Sequence, residues 1–226
     1  MKYFFSIVSV CCFAISAFSQ EVEEETVPVE VKKIDTVKVN YMPTGIRVGV
    51  DLISGIRSQV ETKFSGWEVN ADIDFYRYYL AVDYGYWAKQ LTLKNGSFEN
   101  EGNYFRVGAD VNFLLKDPDR NMVFLGYRYG QASFDHSSSY RLSQDLVKDS
   151  DKGVRAHWME LTGGLRVKIW RMIWMGYTAR FKFAPRAKNY IELQPYDIPG
   201  YGIFEKKIYW GFNFQVFVKI PVRKQE

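Results

Sequence analysis

The 226-residue chain contains two histidines, and each has potential partners close by. His136 lies in the run Ser133-Phe134-Asp135-His136-Ser137-Ser138-Ser139, with an acid on one side and hydroxyls on the other. His157 precedes Glu160 by three residues. A nucleophilic hydroxyl, an imidazole and an acid do chemistry only when the three meet in space. Neighbours along one strand or loop do not meet in that way. A convergence of Ser138, His157 and Glu160 can be drawn, but nothing in their spacing demands it. Both histidines therefore read as solvated loop residues. The chain has no glycine-rich phosphate loop and no cluster with metal-ligand spacing, so no catalytic residue, cofactor or metal site is assigned.

The elements that would carry these residues come next. The first segment, Met1 to Ser19, has Lys2, an apolar run and a small-x-small ending at Ala17-Phe18-Ser19. It reads as a secretory signal (1–19) cut before Gln20. Cys11 and Cys12 lie inside it without the approach expected of a lipoprotein, so the expected mature chain has no cysteine, disulfide or thiolate site. The formal charge of +4 falls to +3 once Lys2 is lost (4 − 1). Basic residues are scattered among acids and form no run, which argues against nucleic acid as a partner. Residues 20–43 read as a flexible periplasmic tail, with 222–226 as a short C-terminal one.

From Thr44 onward the pattern has period two. In Trp67–Phe75, Trp67, Val69, Ala71, Ile73 and Phe75 share one face, while Glu68, Asn70, Asp72 and Asp74 share the other. Successive side chains of a strand point to opposite faces, so a strand separates them automatically. The split recurs in segments beginning near Ile46, Leu80, Phe105, Val123, Met159, Ile173 and Trp210, making eight strands. Short connections alternate with long ones at 91–102, 134–156 and 185–204, whereas the first, 58–63, is modest in length. This is the rhythm of an all-β, eight-stranded, antiparallel up-and-down transmembrane barrel (44–221) with a polar lumen.

Alternation alone does not say which stripe faces inward. A secreted, soluble ligand-binding barrel would turn the apolar stripe in. The apolar stripe, however, is nearly free of charge over the length a tilted strand needs to cross a bilayer. The opposite stripe mixes glycine with charge. It is expected to form a lumen network of Arg47, Arg106, Arg128, Arg166, Lys168, Arg180 and Lys182 with Asp51, Glu68, Asp72, Asp74, Asp83, Asp110 and Glu160. Buried charges must be paired, and an eight-stranded barrel is filled by its own side chains. The last long loop carries Tyr190, Tyr196, Tyr201 and Phe204 beside Pro195, Pro199 and Gly200. These aromatics are candidate contacts for a partner, or they cap the loop's own barrel.

The leader, cysteine-free mature chain and eight alternating strands resemble the small OmpX/OmpA-type outer-membrane barrels of diderm bacteria, and more narrowly a family of short outer-membrane barrels of uncharacterised role. Tyr209-x-Gly211-x-x-Phe214-x-Val216 resembles the closing signal read by the barrel-assembly machinery, although Pro221 and five further residues replace the usual aromatic end. The resemblance implies an outer-membrane protein with periplasmic termini, in contact with membrane lipid, and with the assembly machinery during insertion. It further implies a non-enzymatic structural or interaction subunit with an envelope protein partner, by analogy accessory to an assembly or secretion complex. A lipid A-modifying enzyme, an acyltransferase or deacylase at the outer rim, is the alternative.

Overall fold

The computed structural model describes residues 41–93, 96–142, 145–188, 190 and 194–222. The expected signal and nearly all of both tails lie outside these residues. The chain forms β1 (Gly45–Asp51), α1 (Leu52–Val60), β2 (Phe64–Phe75), β3 (Tyr78–Leu93), β4 (Gly96–Asn112), β5 (Met122–Leu142), β6 (Asp145–Trp170), β7 (Ile173–Lys188), the short β8 (Asp197–Ile198) and β9 (Gly202–Ile203), and β10 (Ile208–Pro221).

The eight longer strands form one closed antiparallel ring in which each pairs with its sequence neighbours and β1 closes on β10. That closure runs from Gly45↔Pro221 to Asp51↔Gln215. Pro221 has no N–H to donate, which suits the last position of a ladder. The end of the ring at which β1 gives way to α1 is called upper below, and the end holding Gly45 and Pro221 lower.

The period-two pattern sets the two faces of the wall. Val48, Val50, Leu80, Val82, Leu125, Leu161, Leu165, Phe212 and Val218 point outward and are exposed. The residues between them are buried. The oily stripe therefore covers the outside of the cylinder and the charged stripe fills its inside, the reverse of a water-soluble barrel.

Three segments differ from the sequence reading. Residues 91–102 and 134–156, expected to be long loops, are mostly strand. The β3–β4 ladder continues to Leu93↔Gly96 and the β5–β6 ladder to Leu142↔Asp145. β6 and β7 pair only as far as Arg155↔Lys188, so β3 to β6 rise above the rim as a four-stranded wall. The reason is chemical: both faces of this wall carry Ser, Asn and charged residues, so no apolar stripe announces it. The modest first connection, 58–63, begins inside α1, which also takes in residues 52–57 before it. Asp51 caps the helix, accepting from Ser54 N at 3.0 Å and Ser54 Oγ at 2.6 Å, and Ile53, Ile56 and Val60 stay exposed along one side. An Asp followed by apolar residues at helical spacing is the signal that would have found it.

Candidate functional site: the filled lumen and its stoppered mouth

Within the lumen, ten side chains form one alternating chain of charge. Arg47 Nε meets Asp72 at 2.8 Å, and Asp72 also meets Arg166. Arg166 lies 3.5 Å from Asp110, which takes Arg128 at 2.8 Å. Arg128 reaches Asp83 at 2.6 Å, and Asp83 takes Arg180 at 3.0 Å. Arg180 donates to Glu160 at 3.0 Å, Glu160 lies 3.1 Å from Arg106 Nε, and Arg106 Nη1 donates to Glu68 at 2.8 Å. The 3.1 Å approach is ionic only, because Arg106 Nε makes no directed hydrogen bond. Charge taken out of water is tolerated when each partner is both neutralised and hydrogen-bonded.

Neutral groups fill remaining lone pairs. Tyr104 Oη donates to Glu68 at 2.7 Å, Trp158 Nε1 to Glu160 at 2.7 Å, and Asn70 Nδ2 to Asp83 at 2.7 Å. Asn213 accepts from Arg180 at 2.5 Å and donates to Glu68 at 3.2 Å. Arg166 lies between the rings of Phe124 and Phe217, 4.9 Å from each. A charge-only reading of the polar stripe misses these members, although they occupy the same alternating positions. Gly126 shows why the stripe also needs glycine: a Cβ there would overlap Asp110 Oδ1.

Of the fourteen charged residues expected in the lumen, Lys168 is not there. It is exposed beyond the lower rim and pairs with Asp119 at 3.5 Å. Strand periodicity continues past the enclosed part of the cylinder, so parity alone misplaced it. Asp51 and Asp74 are buried but stand at the two ends. Asp51 caps α1 and accepts from Phe214 N at 3.0 Å. Asp74 holds Thr44 and lies 3.7 Å from Lys219. Between the latter groups the lower lumen leaves ≈ 10 Å³ of space, about one water.

Lys182 faces main-chain carbonyls. Its ammonium donates to Gly200 O at 2.7 Å and Tyr201 O at 3.0 Å, and Arg106 Nη2 adds a bond to Gly200 O at 3.1 Å. Both carbonyls belong to the last loop, where β8 and β9 pair as a hairpin that enters the mouth of the barrel. Lys89 grips Asp197, and Asn100 Nδ2 donates to Asp197 O at 2.8 Å. Burial pushes the Asp197 carboxyl up, against the pull of Lys89. Ile198 and Tyr201 are 0% exposed and pack with Tyr104, Phe134, Val154 and Trp158. Tyr201 therefore stoppers its own barrel and has no surface to offer a partner. Tyr190 and Phe204 rest against the same cluster. Tyr196 is more exposed and lies on Phe98, with ring centres 5.5 Å apart.

The two histidines sit in different environments. His157 faces outward against Tyr129, with centroids 6.3 Å apart, while Glu160 faces the lumen. Ser138, His157 and Glu160 consequently do not converge. His136, expected in a solvated loop, is buried in the inner face of the wall, stacked on Phe98 with Nε2 3.5 Å from Asp151. Neither of its ring nitrogens nor Ser138 Oγ makes a hydrogen bond with a described residue. A cleft of ≈ 500 Å³ beside it is lined by Phe64, Lys89, Asn100 and His136 among others.

Burial pushes the His136 pKa below its ordinary value, with Asp151 and Asp149 opposing. A depressed folded-state value means that the unfolded chain binds the proton first. The neutral ring's contribution is complete above the unfolded value of about 6.5 and is lost as pH falls towards the lower folded one. We expect the His136 imidazole resonance to titrate below pH 6.5. Amide exchange at the tips of β5 and β6 should accelerate, relative to its intrinsic rate, over the same fall. A midpoint above 6.5 would contradict this.

These features define a class: a closed eight-stranded up-and-down barrel, filled with paired charge and stoppered by its own last loop. The chain belongs to a family described as a domain of unknown function (DUF6048), whose model matches residues 1–225. No curated protein matches the chain. Among solved structures, the crystal structure of CarO from Acinetobacter baumannii is similar over 80% of this chain and 99% of that one, at 12% identity and a TM-score of 0.36. A likeness this loose carries no functional weight.

Proposed function

We propose that this protein is an outer-membrane barrel acting as a non-enzymatic structural and interaction subunit of the envelope, accessory to an assembly or secretion complex. One observation carries the membrane reading: an uncharged, exposed belt encloses a lumen of paired charge. On β6 the belt runs through Met159, Leu161, Leu165, Val167 and Ile169, about the span a tilted strand needs. A closed ring also leaves no open strand edge within the belt, which lipid requires. With its lumen occupied by buried, paired side chains, the protein is not read as a diffusion channel.

The interaction reading rests on the upper wall. Residues 145–154 of β6 have no β7 partner in the described ladder, and an open strand edge with charged side chains can accept a partner's strand in a selective way.

The test is biochemical. The unboiled protein should migrate faster than the boiled protein, stay with membranes after carbonate washing, and give no steady conductance in planar bilayers. Leu165→Arg, at the middle of the belt, should cost about 2–4 kcal/mol in vesicle-based unfolding. A soluble protein that tolerates this change would end the membrane reading. A photo-crosslinker at Ser150 in living cells should yield a discrete protein adduct, and none under any growth condition would end the interaction role.

A further inference from the structure

Above the belt, the outer surface differs around the ring. On β4 and β5 the outward positions become acidic, with Glu99, Glu101 and Asp135. On β6 and β7 they become basic: Arg155, Arg186 and Lys188 are exposed. Arg155 stands opposite Lys188, and His157 opposite Arg186. None of these three cations makes an ion pair with a described residue. Immediately below them lie Met159, Phe183, Phe181 and Trp210, and His157 is stacked on Tyr129.

The basic cluster is produced by an irregularity in the ladder. Outward positions on β6 step evenly from Met159 to His157 to Arg155. Their β7 partners step from Phe183 to Arg186 to Lys188, and the first of these intervals is three residues long. The extra residue reverses parity; an even ladder would have aimed Arg186 and Lys188 into the lumen. Ala184 takes the strain with φ of 51°, in a region that L-residues other than Asn and Asp seldom visit. Bulges of this kind re-aim side chains.

We propose that Arg155, Arg186 and Lys188 form a docking surface for the phosphate-bearing headgroup of an anionic lipid in the outer leaflet. The proposal rests on the membrane reading given above. Continuity with the belt supports it: the acyl chains of such a lipid would lie on Phe181, Phe183 and Trp210, with its phosphates one to two residue steps higher. Guanidinium groups pair with phosphate oxygens in a two-point geometry. Long basic side chains also reach along an apolar surface to a headgroup. The acidic side of the ring repels the same headgroup, so occupancy is confined to the β6–β7 side.

The test uses the full mature chain in mild detergent, titrated in native mass spectrometry. The probes are bisphosphorylated lipid A, enzymatically dephosphorylated lipid A and inorganic phosphate. Saturable binding of the phosphorylated lipid is expected, weakened ~10-fold or more in the R155Q/R186Q/K188Q variant. Glu99→Gln combined with Asp135→Asn should leave binding intact or tighten it. Equal affinity for both lipids, an unaffected triple variant, or full displacement by millimolar phosphate would each overturn the proposal. All variants are first checked for the gel shift of the folded barrel. A wild-type chain that lacks the shift refutes the membrane reading itself, whereas a shifted chain without lipid selectivity refutes only the docking surface.

Discussion

Asp83→Asn should destabilise the barrel by about 3–5 kcal/mol, the usual cost of removing one partner from a buried charge pair. Asp83 takes Arg128 at 2.6 Å and Arg180 at 3.0 Å, and Arg106 stands 3.7 Å away. The amide keeps the shape and removes the charge, so three guanidinium groups then share fewer anions in a place water does not reach. The measurement is urea unfolding of the protein in lipid vesicles, followed by tryptophan fluorescence and by the gel shift. The double variant Asp83→Asn with Arg128→Met removes one charge of each sign and should recover part of the loss, while Arg128→Met alone should be as damaging as Asp83→Asn alone. A single variant within about 0.5 kcal/mol of wild type would mean that the network is not a stabilising unit.

Tyr201→Ala should release the stopper. The ring is 0% exposed and meets Trp158 edge-on at 5.8 Å, while its hydroxyl donates to Lys206 O at 2.6 Å. Truncating a buried aromatic costs about 3–5 kcal/mol, here taken from the docking of the loop rather than from the ring of strands. Protease should then cut between Pro195 and Lys207 while the gel shift persists, and Trp158 emission should move to longer wavelength. Gly200→Val should reach the same state by another route. Gly200 has φ of 78°, and a Cβ there would sit 2.6 Å from the Tyr104 ring. A loop that stays protected in both variants would show that the carbonyl contacts to Lys182 and Arg106 suffice to hold it.

The strands could be read from the sequence because a half-oily, half-charged ribbon has one simple solution, and Trp67–Phe75 shows it most clearly. The burial of Glu68, Asp72 and Asp83 follows from parity. Their partners do not, because pairing Asp83 with Arg180 needs the ring closed. The upper wall was hidden for a different reason. Around Phe98–Asn103 and Phe134–Ser139 the outer face is polar and the inner one mixes Phe98 and Phe134 with Asn100, His136 and Ser138, so the period-two signal loses its contrast although the backbone is still strand. The stopper was hidden because a Tyr, Pro and Gly-rich loop reads alike whether it faces water or folds back inside; only the positions of Lys182 and Trp158 decide between them. The outward-facing cations were invisible because a single extra residue near Ala184 changes which side Arg186 occupies.

The ladder from Gly45↔Pro221 to Asp51↔Gln215 joins the first and last strands of the ring. Several lumen links are similarly distant in sequence, such as Asp72 to Arg166, Asp83 to Arg180 and Glu68 to Asn213. Contacts of that kind form late, because a long stretch must be ordered before they return any energy. Until β10 arrives, the charges of the future interior stay hydrated along an open sheet. Desolvation and neutralisation then occur in one step. Folding of this protein should therefore be slow and all-or-none, and a chain stalled before Ile208 should remain an unclosed, water-soaked ribbon that a chaperone can still hold.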